Sequence, residues 1–277
     1  MEEGQPSRTA LGAAIHRAAH QVQEGGRVLA DPLALRILGV GAEAAVHAAG
    51  LDPAHGRLRL FVAFRSRFAE DALKRAFDGG VRQLVVLGAG LDTYAYRNPL
   101  GEALRMFEVD HPATQAWKLR RLAEAGIPVP ANLAHVPVDF ERADLAEALA
   151  GAGFDPAWPA FFSWLGVVPY LTGEAVFSTL GWIASLPGGA QVVFDYGNPA
   201  APGAAADREA LARRVAAVGE ALKSEFETGE LHARLARLGF QVVEDLGPAR
   251  IRERIQGVKG DGPDRGGHVL LATKVWA

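Results

Sequence analysis

Short apolar runs recur along this 277-residue chain, separated by stretches long enough for helices. The runs are Gln83–Leu87, Arg105–Asp110, Ala134–Phe140, Ala160–Val168, Gln191–Tyr196, Phe240–Asp245 and His268–Lys274. The first five read as short apolar runs, as expected of parallel strands covered on both faces. The last two alternate more, which predicts an edge or antiparallel pair. Between them, Arg57 to Asp78 places Leu60, Phe61, Phe64, Phe68, Ala72, Leu73 and Phe77 at helical spacing, and Gly79-Gly80 ends the segment. Thr172 is placed to cap a helix running through Leu186, and Thr9 to Gln23 forms another amphipathic segment before Gly25-Gly26. The pattern predicts an α/β fold: a doubly wound, seven-stranded, Rossmann-like sheet.

No internal repeat or long linker divides the chain, so residues 1–277 are expected to form a single domain. Two parts exceed what the sheet needs: residues 1–80 ahead of the first strand, and an insertion over 197–239 that opens with a Pro/Ala/Gly-rich run. Both are expected to build a helical cap over the sheet's carboxyl edge, where open α/β sheets bind ligands.

Composition narrows the function. The chain is 49% hydrophobic and 22% charged, with a net charge of −3 and its acidic and basic residues interspersed. That balance carries no footprint for nucleic acid. No cysteine is present, which removes thiol nucleophiles and Cys-based metal sites and fits a reducing compartment. The first ten residues lack the basic-then-apolar order of a signal peptide. No apolar stretch approaches the roughly 20 residues of a membrane helix. A cytoplasmic protein with no membrane or nucleic-acid partner is expected.

The sharpest local chemistry lies in Leu84-Val-Val-Leu87 running into Gly88-Ala89-Gly90. Missing side chains there let the backbone turn tightly and approach a ligand. About twenty residues on, a second strand ends in Asp110, placed to accept both hydroxyls of an adenosine ribose. The third ends in Asp139-Phe140, suited to an adenine amino group and ring. Dinucleotide enzymes share the glycine loop and the first acidic residue, but a third glycine normally follows to admit the pyrophosphate. Thr93 stands there, followed by Tyr94-Ala95-Tyr96-Arg97. A methionine-bearing nucleoside has no pyrophosphate, so a methyl donor is favoured.

These residues also resemble a known family. Leu87 to Arg97 (LGAGLDTYAYR), Phe107 to Pro112 (FEVDHP) and Val168 to Thr172 (VPYLT) are similar to the leucine carboxyl methyltransferase family, closest to its bacterial branch of O-methyltransferases. Asp31-Pro32-Leu33-Ala34 and Arg65-Ser66-Arg67-Phe68 are further marks, and the resemblance runs from about Thr9 to the C-terminus. It implies the class I methyltransferase form of the sheet and S-adenosyl-L-methionine as cofactor. It also implies that Arg65 pairs with the methionine carboxylate and that Gly88, Ala89 and Gly90 line the methionine and ribose. Asp110 would hold the ribose, with His111 beside it making at most a backbone contact. Asp139 and the Phe140 backbone would address the adenine, and Gly166 would complete the fourth-strand side. Many relatives carry Glu before that glycine, where this chain has Leu165; any contact made by that Glu is missing.

The acceptor side is less defined. Arg97 is a candidate to anchor a substrate carboxylate, or else to tie its loop to the sheet. Tyr170 and Tyr196, at strand ends, are candidates to line an acceptor pocket. A carboxylate acceptor is ionised at neutral pH and needs only orientation, whereas a hydroxyl usually needs a general base. No His/Asp pair stands out as that base, and no His/Asp cluster has metal-ligand spacing. The sequence therefore predicts O-methylation of a small-molecule carboxylate or hydroxyl. The alternatives are an NAD-type oxidoreductase and a non-catalytic S-adenosylmethionine-binding protein.

Overall fold

Seven strands form among the described residues: β1 (Gln83–Leu87), β2 (Arg105–Asp110), β3 (Leu133–Pro137), β4 (Ala160–Trp164), β5 (Ala190–Asn198), β6 (Gln241–Leu246) and β7 (Gly266–Lys274). The computed structural model describes residues 7–51, 53–139, 144–199, 222–259 and 265–274. One sheet holds all seven strands in the order β3-β2-β1-β4-β5-β7-β6. The first five are parallel, and β7 runs antiparallel to both β5 and β6. The strand order reverses between β1 and β4, and this switch point opens a crevice at the carboxyl edge.

Alternating side chains build a core on each face. Phe162 and Trp164 of β4 enter the same core as Val85, Leu87, Phe107 and Phe194, under α6 (Leu145–Gly151), α7 (Gly173–Ala184) and α8 (Thr228–Arg237). Phe161 enters the other, with Leu84, Val86, Met106 and Val193, under α4 (Pro53–Asp78) and α9 (Pro248–Gln256). Phe161, Phe162 and Trp164 are fully buried. Burial stabilises each such side chain by about 1.5–3 kcal/mol relative to exposure, which explains the continuous apolar run at the sheet's centre. Strand β7 is also interior, with Val269 to Ala272 buried and an antiparallel neighbour on each side, and of the last two strands β6 is the edge.

The boundaries differ from the sequence pattern for local reasons. Strand β3 ends at Pro137, and the chain leaves the ladder with Val138 N–H donating to the Asp110 carbonyl (2.8 Å). Strand β4 stops at Trp164, because Gly166 takes φ +73° and Val168–Tyr170 forms a 3-10 turn. No α-helix joins β1 to β2. Two 3-10 turns, Tyr94–Tyr96 and Gly101–Ala103, make that crossing. Leu91 of this crossing packs with α1 (Arg8–Gln23), α2 (Ala34–Leu38) and α3 (Glu43–Leu51), and also with Leu122 of α5 (Pro112–Glu124), while Tyr94, Ala95 and Leu104 join the core under α4.

Thr172 caps α7 as its position predicts, its hydroxyl accepting from Ala175 N–H at 3.3 Å. Thr172→Ala is expected to lower unfolding stability by about 0.5–1 kcal/mol, the lower part of the range for a cap. Denaturant titration should show this as a shifted midpoint with an unchanged slope. An unmoved midpoint would mean that packing alone sets this helix start.

Of the proposed cap, residues 200–221 lie outside the described residues. The chain returning from them crosses the turn after β4: Lys223 and Ser224 N–H groups donate to the Pro169 carbonyl, and the Ser224 hydroxyl donates to Val168. No helix of the described residues is long and apolar enough to cross a membrane.

Candidate cofactor site

The glycine loop sits at the switch point. Gly88 and Ala89 N–H groups donate to the Val109 carbonyl (2.8 and 3.1 Å), folding the loop back over β2. Gly88 and Gly90 adopt φ +69° and +45°, a region unfavourable for other L-residues. Space demands glycine as well. A Cβ at Gly88 would come within 2.3 Å of a Val167 methyl, and one at Gly90 within 2.9 Å of the Ala10 methyl. Helix α1 therefore lies directly over the loop.

Asp110, at the end of β2, holds this turn. One carboxylate oxygen accepts from Gly90 N–H (2.5 Å), the other from His111 N–H (2.7 Å). Burial pushes its carboxyl above the ordinary range, opposed by those two N–H donors. His111 itself, and not Asp110, caps α5: its Nδ1 accepts from Ala113 N–H at 3.2 Å, with Pro112 in the first turn. Its side chain is thus turned to the helix. Asp139 follows β3, the next strand, and is half-buried. Phe140 lies outside the described residues.

On the β4 side, Arg65 of α4 reaches across Gly166. Its Nη1 donates to Asp195 Oδ2 at 2.7 Å, and the two side chains are only 11% and 5% exposed. Asp195, on β5, also accepts from Gly166 N–H through Oδ1 (2.5 Å). A Cβ at Gly166 would come within 2.6 Å of Arg65 Nη2, so glycine is what lets the guanidinium lie there. Arg65 Nε is buried and has no hydrogen-bond partner among the described residues. Leu165, beside it, lines a cleft with Ser66, Glu70, Asp92 and Ser163 and offers no polar group.

Two of the three acceptor candidates, Arg97 and Tyr196, turn inward. Arg97 is engaged internally: its guanidinium donates to both Glu70 oxygens (3.0 and 2.5 Å) and lies 3.4 Å from Asp31. It ties its loop to α4 and not to the sheet. Tyr196 is 1% exposed and points into the core. Its hydroxyl donates to Asp245 (2.7 Å) and contacts Thr228 and His268. It is therefore a packing residue and not a pocket wall, because the alternation along β5 sends Asp195, not Tyr196, to the Arg65 face. Tyr170 closes the 3-10 turn after β4 and is half-buried.

Two residues with no assigned role in the sequence pattern emerge here. Asp195 is a charge inside the apolar run Gln191–Tyr196, a signal that was available. Asp31 is completely buried, paired with Arg17 Nε (2.8 Å), and accepts from Thr93 Oγ1 (2.6 Å) and Leu33 N–H (3.0 Å). Arg17 also donates to the Leu91 carbonyl (2.5 Å). This network fastens the N-terminal helices to the glycine loop.

Five parallel strands, an antiparallel β7 inserted before β6, and a glycine loop with an acidic residue ending the neighbouring strand define the Rossmann-like sheet of class I methyltransferases. Solved structures share that fold. A DUF574 family protein of Streptomyces avermitilis superposes with a TM-score of 0.54 at 16% identity, over 94% of this chain and 97% of that one. A Galdieria sulphuraria protein, provisionally described as a sarcosine dimethylglycine methyltransferase, superposes with a TM-score of 0.52 at 9% identity, over 78% and 88%. Residues 10–184 match the leucine carboxyl methyltransferase family, and the chain belongs to it. Bacillus subtilis YktD is 37% identical over 194 residues, 68% of this chain and 64% of YktD. A Mycolicibacterium paratuberculosis relative is 37% identical over 182 residues, 60% of this chain and 57% of its own. Both are named, provisionally, as S-adenosyl-L-methionine-dependent methyltransferases. The chain thus spans 64% and 57% of the lengths of these two curated relatives.

Proposed function

We propose that this protein is an S-adenosylmethionine-dependent O-methyltransferase acting on a carboxylate of a small molecule. The observation that carries the cofactor reading is a continuous run of groups along one sheet edge. Arg65 stands at the β4 end with a buried, unbonded Nε, the Gly88–Gly90 loop lies in the middle, and Asp110 and Asp139 stand at the ends of β2 and β3. A zwitterionic amino-acid group, a sulfonium, a ribose and an adenine present complementary chemistry in that order. Arg65 would hold the methionine carboxylate, Asp110 the ribose hydroxyls and Asp139 the adenine amino group. The cofactor supplies an electrophilic methyl group on sulfur, open to in-line displacement by an acceptor lone pair.

What remains for the chain is alignment and exclusion of water. Two features support a cap made by residues 1–80 and 197–239: α1 seats on Gly90, and residues 223–224 seat on the turn after β4. The carboxylate acceptor is favoured because it needs no general base. The histidine–carboxylate contacts at the far side of the sheet, His232 and His268 on Asp245 (2.7 and 2.9 Å), belong to β6, β7 and α8, three or more strands from Gly88.

The dinucleotide alternative is disfavoured by the same geometry. A pyrophosphate calls for a helix N-terminus after the loop. Here a 3-10 turn follows, and Thr93, at the third glycine position, is bonded to Asp31. Calorimetry with S-adenosylmethionine and with NAD tests the choice: donor binding is expected and NAD binding is not, and the converse result would overturn the assignment. Labelled methyl transfer onto a panel of carboxylic acids and phenols then separates an enzyme from a binder. Transfer to phenols alone would displace the carboxylate reading.

A further inference from the structure

The Arg65–Asp195 pair has the makings of a site for both charges of an amino acid. The two side chains are buried together at the switch point and touch through a single hydrogen bond of 2.7 Å. A guanidinium has five N–H donors, and Arg65 keeps Nε unbonded. A carboxylate has about four acceptor positions, and the Asp195 bonds described above, from Gly166 N–H and Arg65 Nη1, occupy two. Each member therefore has capacity left.

An α-amino acid group carries a carboxylate and an ammonium on one carbon. A lone arginine would satisfy the first and leave the second desolvated without a partner, which is costly in a buried site. A cation and an anion side by side match both. Leu165 next to Gly166 leaves the β4 side without a charge of its own, and Asp195 supplies one from the adjacent strand.

We propose that Asp195 accepts the α-ammonium of the methyl donor while Arg65 takes its α-carboxylate, so that the pair recognises the amino-acid end as a zwitterion. This rests on the donor assignment above. Asp195 is then a donor-contacting residue as well as the holder of Arg65.

The test is calorimetry on the full chain with two ligands that share a nucleoside: S-adenosylmethionine, and 5′-methylthioadenosine, which has no amino-acid group. Asp195→Asn keeps the side chain's shape and loses its charge. It is expected to weaken S-adenosylmethionine binding at least tenfold and to leave methylthioadenosine within about twofold of wild type. Equal weakening of both ligands would show that Asp195 only shapes the site. Unchanged or tighter S-adenosylmethionine binding would show that it only competes for Arg65. Either result overturns the proposal. Wild-type protein that binds methylthioadenosine but not S-adenosylmethionine also overturns it, and wild type that binds neither removes the donor assignment itself. Thermal unfolding of the variant confirms that a folded protein is compared.

Discussion

Asp110→Ala is expected to weaken S-adenosylmethionine binding by roughly 10²–10⁴-fold. A carboxylate accepting two ribose hydroxyls makes two hydrogen bonds to a charged group, each worth about 1.5–3 kcal/mol, and together about 3–6 kcal/mol. Every 1.4 kcal/mol is tenfold in affinity. The same side chain already accepts from Gly90 and His111 N–H groups, so its removal also frees the turn that shapes the loop, and both effects act in one direction. Asp110→Asn keeps one acceptor oxygen near its place and should fall between the wild type and alanine. Calorimetry reads both variants. A loss of less than about threefold for alanine would mean that the nucleoside does not lie against β2.

Much of the fold is legible because buried parallel strands write an unambiguous pattern. The runs at β1 and β2 match the structure residue for residue. Elsewhere the pattern blurs where a residue's effect is on backbone geometry and not on hydropathy. Val168 is apolar and buried, yet β4 ends four residues earlier because Gly166 turns the chain. The missing helix between β1 and β2 is similar: the sequence there is long enough for one, but its apolar residues divide between two layers, Leu91 packing with α1 to α3 and Tyr94, Ala95 and Leu104 with the core under α4.

The site divides in the same way. Gly88, Gly90 and Asp110 stand out because one local turn explains all three. Arg65 has a readable role only through family resemblance, since nothing within α4 indicates that its partner is Asp195, 130 residues away. Arg97 and Tyr196 stand at the sheet edge as the pattern places them, but their partners, Glu70 and Asp245, come from other elements and turn them inward. Pairing across such separations is not encoded in spacing, and it decides whether an edge residue faces a ligand or the core.

Asp31 shows the consequence most strongly, and Asp31→Ala is expected to destabilise the protein by about 3–5 kcal/mol, the range for removing one partner of a buried ion pair. Its carboxylate is fully enclosed, with Arg17 on one oxygen and Arg97 3.4 Å from the other. Arg97 retains Glu70, but among the described residues Arg17 would keep only the Leu91 carbonyl and become a buried cation with no counter-charge. Thr93 and Leu33 N–H lose their acceptor in the same step. Thr93 and Leu33 donate to different oxygens of Asp31, so Asp31→Asn keeps an acceptor for one of them and loses the charge; a smaller loss is expected, and the difference between the variants reports the hydrogen bond that is kept. Because Arg17, Leu91 and Thr93 join α1 to the glycine loop, the destabilisation should be accompanied by weaker donor binding at temperatures where the variant is still folded. Thermal melts and calorimetry on both variants measure the two effects. A loss below about 1 kcal/mol would show that apolar packing of α1 and α2 holds the layer without the charges. Full destabilisation with unchanged donor affinity would show that the N-terminal helices are attached to the sheet but do not shape the loop.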